Sequence, residues 1–362
     1  MAGGRSACSG LDQSLAGRRM PGLDGLRAIA VFLVIAYHFG IPGAPGGHGV
    51  LLFFVLSGFL ITRLLVLEEE NTGAVSLGAF YARRTLRIFP AFYAYSALVI
   101  AAMLAAGRPV LWPQAIASLL YVNNYYQALH GDPNTAFSHT WSLAVEEQFY
   151  LLWPGIFILL RSRKARLTGA SAIILAVWIQ RAVRAIVFHT PDGYIYEALD
   201  TRLDSLLVGC VAALLVSQNE SRRRVENWIC ARWKMVATLI LLVLSLFIQS
   251  AAPRWYREAI GFATDPLLIM VLILQVLAFS SLPAVSWLEW PWVRFLGRIS
   301  YPLYLYQQIV ISSLEKRLAS FPAIVAFPVV VGGCILAASA SYFVIEKPAL
   351  RWKARFERVR TA

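Results

Sequence analysis

Charge is what this chain has least of. Only 15% of its 362 residues are Asp, Glu, Lys or Arg, against 58% apolar, which excludes an ordinary soluble domain of this length. Cysteine is scarce as well: Cys8, Cys210, Cys230 and Cys334 show no CxxC or metal-type spacing, so neither a disulfide framework nor a metal site is indicated. Lysine is almost missing. It supplies 5 of the 33 basic residues and arginine the other 28, a bias that fits a GC-rich coding sequence and says nothing about mechanism. Internal repeats are absent, which removes support for an inverted-repeat transporter. A small-residue cleavage site is lacking after Arg18-Arg19, so the first apolar run reads as an uncleaved span and not as a leader.

What the sequence does have is long apolar runs, near residues 24–40, 48–67, 89–106, 143–160, 169–188, 202–216, 234–250, 262–281, 295–313 and 323–345. A hydrocarbon core about 30 Å thick takes about 20 apolar residues per helix. The expected fold is an all-α, polytopic membrane bundle of ten helices. With an inside N-terminus, 23 of the 33 basic residues fall on inner segments and five, Arg108, Arg254, Arg257, Lys316 and Arg317, on outer loops. That asymmetry predicts both termini in the cytoplasm and makes the net charge of +13 a topology signal, with no nucleic-acid partner. The predicted division is a cytoplasmic tail over 1–22, a membrane domain over 23–347 and a basic tail over 348–362. The outer connection 107–142 carries "WPQAIASLLYVNNYYQ", too polar to span, and is expected to be interfacial or re-entrant.

Ionisable groups inside a span are costly unless paired or facing a wet cavity. In "LDGLRAIAVFLVIAYHFG", Arg27 and His38 are eleven residues apart, so on a helix they share a face within roughly 20° and stand roughly 16 Å apart. Asp24 can pair with Arg27. "SHTWSLAVEEQFY" places His139 and Trp141 at the outer end of the fourth span and Glu146, Glu147 and Gln148 about one turn below, at a depth similar to His38, where a carboxylate could orient the imidazole. Arg181, Arg184, Asp200, Arg202 and Asp204 cluster at the outer ends of the fifth and sixth spans. They either neutralise one another or line a polar cavity. "FYARRTLRIFP", taken as an inner loop, carries Arg83, Arg84 and Arg87, which suit a polyphosphate or serve topology alone. Tyr301, Tyr304, Gln307 and Gln308 lie in the ninth span and Glu346 at the inner end of the tenth.

Five elements, in order along nearly the whole chain, resemble the membrane-bound acyltransferase-3 family: the Arg27–His38 helix, "FFVLSGFLIT", "FYARRTLRIFPAFY", "HTWSLAVEEQFYLLWP", and the closing "ISYPLYLYQQ" with "YFVIEKP". The resemblance implies ten helices with both ends inside, an acyl-CoA donor in the cytoplasm, acetyl-CoA being the commonest, and a carbohydrate or other hydroxyl acceptor across the membrane. Acyl-CoA is expected as co-substrate, with no permanently bound cofactor, and the setting is the cell's inner membrane. By position it implies an essential His38 and a CoA-binding set of Arg27, Arg83, Arg84 and Arg87. One departure is plain: where many members have histidine in the ninth helix, this chain has Tyr306 and Gln307. The chain also ends soon after the tenth helix, so the soluble esterase-like domain of some members is expected to be absent.

Acyl transfer to an alcohol needs a base, an oxyanion stabiliser and alignment. His38 is the expected base with Glu146 or Glu147 holding its ring, an acyl-histidine intermediate being the alternative. Acceptor-binding candidates are His139, Trp141, Arg181, Arg184, Arg202, Asp204, Tyr304 and Gln307. The rival function is a transporter or flippase that uses the same charges as a relay.

Overall fold

The computed structural model describes residues 10–16, 19–353 and 356. Arg5, Cys8 and Arg18, with the other residues of 1–9, 17–18, 354–355 and 357–362 in the two expected tails, lie outside the described residues. Within them the chain is helical and contains no strand. A helix forms at every one of the ten apolar runs, and we number these α1 (Leu23–His38), α2 (Gly46–Thr72), α3 (Leu77–Ala105), α4 (Trp141–Leu159), α5 (Arg163–Ile186), α6 (Leu199–Ser217), α7 (Arg232–Ala251), α8 (Phe262–Ala278), α9 (Ser300–Leu318) and α10 (Ala323–Ser341). In lipid the backbone must satisfy its own hydrogen bonds, and a helix is how a single apolar segment does so.

Among the described residues, six helices are long and apolar enough to cross a membrane: α2, α3, α5, α7, α8 with its N-terminal extension, and α10 with its C-terminal one. The other four fall short of that length or hydropathy, and polar groups lie on them as well as on α3, α5 and α8. α1 has 16 residues, and α4, α6 and α9 carry Glu146 and Glu147, Asp200, Arg202 and Asp204, and Gln307 and Gln308. The protein is therefore a multi-pass membrane protein whose most apolar helices are joined by shorter, polar ones. α2 is the most enclosed of the six and α7 the least; Val236, Ile240, Val243 and Phe247 give α7 an apolar outer face.

Glycines set the central crossing. A Cβ on Gly58 of α2 would stand 1.8 Å from the Leu206 carbonyl oxygen, and one on Gly209 of α6 would stand 2.0 Å from that of Val55. The two backbones meet because neither residue has a side chain, the small-residue contact on which membrane helices rely. This crossing holds the outer end of α6, with its charges, against α2.

Three local features depart from the sequence reading. α3 begins twelve residues before the expected third span, capped by the Ser76 hydroxyl, which accepts from the Ala79 N–H; Arg83, Arg84 and Arg87 therefore lie on a helix, not in a loop. Within the expected N-terminal tail, Leu11 and Leu15 are buried and the Ser14 hydroxyl donates to the Leu277 carbonyl at 2.7 Å. Cys210 and Cys334 are buried free thiols, but Cys230 takes part in a disulfide that spacing along the chain could not reveal. Two π-helical turns, Arg257–Gly261 before α8 and Tyr342–Glu346 after α10, widen their helices by one residue per turn; such turns are rare and concentrate at functional sites.

Candidate active site

The interfacial segment folds into two short helices, Trp112–Leu119 and Asn123–His130, and their amides are buried. Asn123 Nδ2 donates to the Phe137 carbonyl at 3.0 Å and to the Thr140 hydroxyl at 2.9 Å, and Gln127 Nε2 donates to the Ser138 carbonyl at 2.9 Å. These bonds pin the turn that presents His139. The imidazole of His139 is 2% exposed, and among the described residues neither ring nitrogen meets hydrogen-bond geometry, though the Leu305 backbone approaches the ring. It lies between the rings of Tyr95 and Tyr304, at 5.7 and 5.4 Å between centroids. Tyr304 donates from its hydroxyl to the His139 carbonyl at 2.9 Å and is 2.6 Å from the Ser142 hydroxyl.

α1 is one continuous helix from Leu23 to His38, so Arg27 and His38 share a face as expected. His38 interacts electrostatically with His139 and with Asp132 in the outer loop. Its Nδ1 is 2.9 Å from the Val34 carbonyl oxygen. A carbonyl only accepts, so Nδ1 carries the proton and the Nε2 lone pair is free. The fully buried Gln307 amide approaches the ring, with its oxygen and nitrogen both short of hydrogen-bond geometry. His38, His139 and Gln307 thus form a group of polar side chains with unused hydrogen-bonding capacity.

Glu146 and Glu147 do not join that group. Glu146 accepts from the Ser57 hydroxyl at 2.9 Å and the Tyr150 hydroxyl at 3.0 Å, and its charge interacts with Arg27 and Arg84; Glu147 interacts with Arg84. α4 carries them roughly two turns from His139, so the level assigned from the sequence is corrected: they belong to a separate cluster around Arg27 and Arg84. In it Arg27 Nε donates to the Ser300 hydroxyl at 3.3 Å and Arg84 lies over the Tyr150 ring. Arg87 interacts with Arg27 and with the buried Glu346. Arg83 is set apart from these, paired with Glu68 at 2.6 Å. Asp24 forms its ion pair with Arg19 at 2.7 Å and reaches Arg27 only through space.

Where the C-terminal end of α5 meets the N-terminal end of α6, most charges satisfy one another. Arg181 is fully buried against Asp204 at 2.9 Å, and Arg184 meets Asp200 at 3.3 Å. Trp141 packs between Phe54 and Tyr196. Arg202 is the exception: it is 2% exposed, forms no ion pair among the described residues, and lines a cavity of about 360 Å³ together with His48, Asp265 and Glu258. Reading along the chain missed Asn123, Gln127 and Asp132, whose only signal was an excess of amides and acids in a segment too polar to span. It also missed His48 and Asp265, a pair 2.8 Å apart joining two different helices.

The family model described as "Acyltransferase domain" matches residues 20–345. The chain is 34% identical to a Bacillus subtilis protein named "Putative peptidoglycan O-acetyltransferase YrhL", over 91% of this chain and 55% of that one. It is 31% identical to peptidoglycan O-acetyltransferase OatA of Listeria monocytogenes, over 81% of this chain and 49% of the relative. The chain thus spans about half the length of these relatives. No solved structure matches it. Four helices bearing buried histidine, amide, arginine and carboxylate groups, set among six apolar ones, and a family match over nearly the whole length lead to one conclusion: the chain belongs to the membrane acyltransferase-3 family.

Proposed function

We propose that this protein is an inner-membrane O-acetyltransferase that takes an acetyl group from acetyl-CoA on the cytoplasmic side and passes it to a sugar hydroxyl on the far side. The names of its relatives make peptidoglycan the first acceptor to try. The observation that carries the reading is α1, which bears Arg27 in the inner arginine cluster and His38, with a free Nε2, in the outer group.

In this reading Arg27, Arg84 and Arg87 hold the CoA phosphates, bidentate contacts being the strength of guanidinium groups. Arg83, paired with Glu68, contributes charge more than contact. The pantetheine arm covers the roughly 16 Å up α1 and brings the thioester to His38. The acceptor hydroxyl gives its proton to His38 Nε2 while its oxygen attacks the thioester carbonyl. Gln307 or His139 donates a hydrogen bond to the oxyanion. The C–S bond then breaks, and the departing thiolate takes the proton back from the imidazolium. Val34 keeps the ring in the productive tautomer, the task a carboxylate performs in soluble acyl transfer.

The test is release of CoA from labelled acetyl-CoA by purified protein, with and without a glycan acceptor. His38→Ala is expected to lower transfer by about 10²–10⁴-fold, the range for loss of a general base, with the protein still folded; undiminished transfer would remove the catalytic role. Substrate movement without CoA release would favour the transporter reading instead.

A further inference from the structure

We propose that the cavity over Arg202 is a subsite for an anionic group, carboxylate or phosphate, carried by the sugar acceptor. The cavity, about 360 Å³, opens at the outer ends of α2, α6 and α8, and its volume is at the lower end of the range for small-molecule sites. All its acids but one oxygen of Glu258 are already answered. Asp265 accepts from His48 Nε2 at 2.8 Å, the Ser245 hydroxyl at 2.6 Å and Gln249 Nε2 at 2.8 Å. Asp192 meets Arg257 at 3.0 Å, and Glu258 Oε1 meets Arg254 at 2.8 Å.

Arg202 has no such direct answer, Asp204 and Asp265 reaching it only through space. Its Nε and Nη1 are buried without a partner, and the guanidinium is wedged between the rings of Phe262 at 4.4 Å and Tyr196 at 5.3 Å. A buried charge left unpaired is strongly unfavourable, and a guanidinium is best completed by a planar carboxylate or a phosphate. Glu258 Oε2, 1% exposed and also unpartnered, asks for a donor such as a sugar hydroxyl. Both residues line one cavity, so one ligand bearing an anion and hydroxyls could serve both. The π turn Arg257–Gly261 brings Arg257 and Glu258 together to this wall.

The subsite is coupled in space to the proposed chemistry. Tyr196 lines the cavity, packs tilted against Trp141 at 5.0 Å and interacts with Tyr37, whose ring meets that of His38 edge-on at 5.4 Å. A sugar anchored by its anion at Arg202 is thereby held on the side of the bundle where His38 works. The inference rests on the acetyl-transfer reading only in taking the ligand to be a sugar acceptor.

The experiment is calorimetric binding to the purified full chain in detergent, without acetyl-CoA, using N-acetylglucosamine, N-acetylmuramic acid and N-acetylglucosamine 1-phosphate. At least one anionic sugar is expected to bind tenfold or more tightly than the neutral one, and the tighter of the two identifies carboxylate or phosphate. Arg202→Gln is expected to erase that gap and Arg202→Lys to keep part of it. Equal affinity of the wild type for neutral and anionic sugars overturns the proposal without any variant, as does an Arg202→Gln protein that keeps the whole gap. Because binding is read without the donor, loss of CoA release with the anionic preference intact would sink the acetyl-transfer reading and leave the subsite standing.

Discussion

Glu197, at the end of the short helix Asp192–Glu197, shows how one carboxyl can set a pH dependence. Burial, with Asp132 adding to it, pushes its carboxyl up to about 8, and its Oε2 has no partner. The unfolded chain ionises a glutamate near pH 4.3, so between that pH and about 8 folding takes up a proton. Stability therefore falls as pH rises through this window. Glu197→Gln is expected to match the wild-type melting temperature near pH 4 and to exceed it increasingly up to pH 8; parallel melting curves across that range would show that the group carries no such linkage. At this scale the sequence names the polar residues well and their partners poorly. Spacing offers Asp24 to Arg27, but Arg19 takes it; similar depth offers Glu146 to His38, but Ser57 and Tyr150 take it. Partners come from helix packing, which i, i+3 and i, i+4 spacing within one segment does not contain.

At the scale of elements, the crossing of α2 and α6 is the joint most sensitive to size. Gly209→Ala places a methyl group against the Val55 carbonyl and the Phe59 N–H, 2.0 and 2.7 Å away, so one helix must move. A loss of about 1–3 kcal/mol is expected, the usual cost of overpacking, read as a lower melting temperature in detergent. The same change at Gly155 on α4, where a Cβ meets nothing, is the control and should leave melting unlowered or slightly raised. The ten helices are legible along the chain because each is a run of apolar residues. Their starts are less so: the first turns of α3 hold arginines, and nothing but the Ser76 cap marks where the loop ends.

For the whole molecule, charge asymmetry remains the argument for orientation, and it can be tested directly. In cells expressing a chain without native cysteines, a membrane-impermeant thiol reagent is expected to label Arg108→Cys from outside and to reach Arg223→Cys only after the membrane is opened; the reverse pattern would invert the bundle. Once oriented this way, the polar groups fall on two levels, arginines and glutamates inward and imidazoles and amides outward. The family was readable from motifs spread over the chain, since each motif is local. The Arg202 cavity was not, because its walls come from α2, α6, α8 and the short helix before α6.

The π turn beside that cavity has a consequence for how the protein can vary. A π turn holds one residue more than the α turn it replaces, so deleting a single residue from 257–261 lets the segment close into ordinary helix. Such a deletion would re-aim Arg257 and Glu258 and reshape the cavity mouth, yet the register of α8 from Phe262 onward, with its packing against neighbouring helices, could stay as it is. The specificity of the outer subsite is in this sense an inserted part, open to change by indels in a bundle whose crossings tolerate hardly a methyl group.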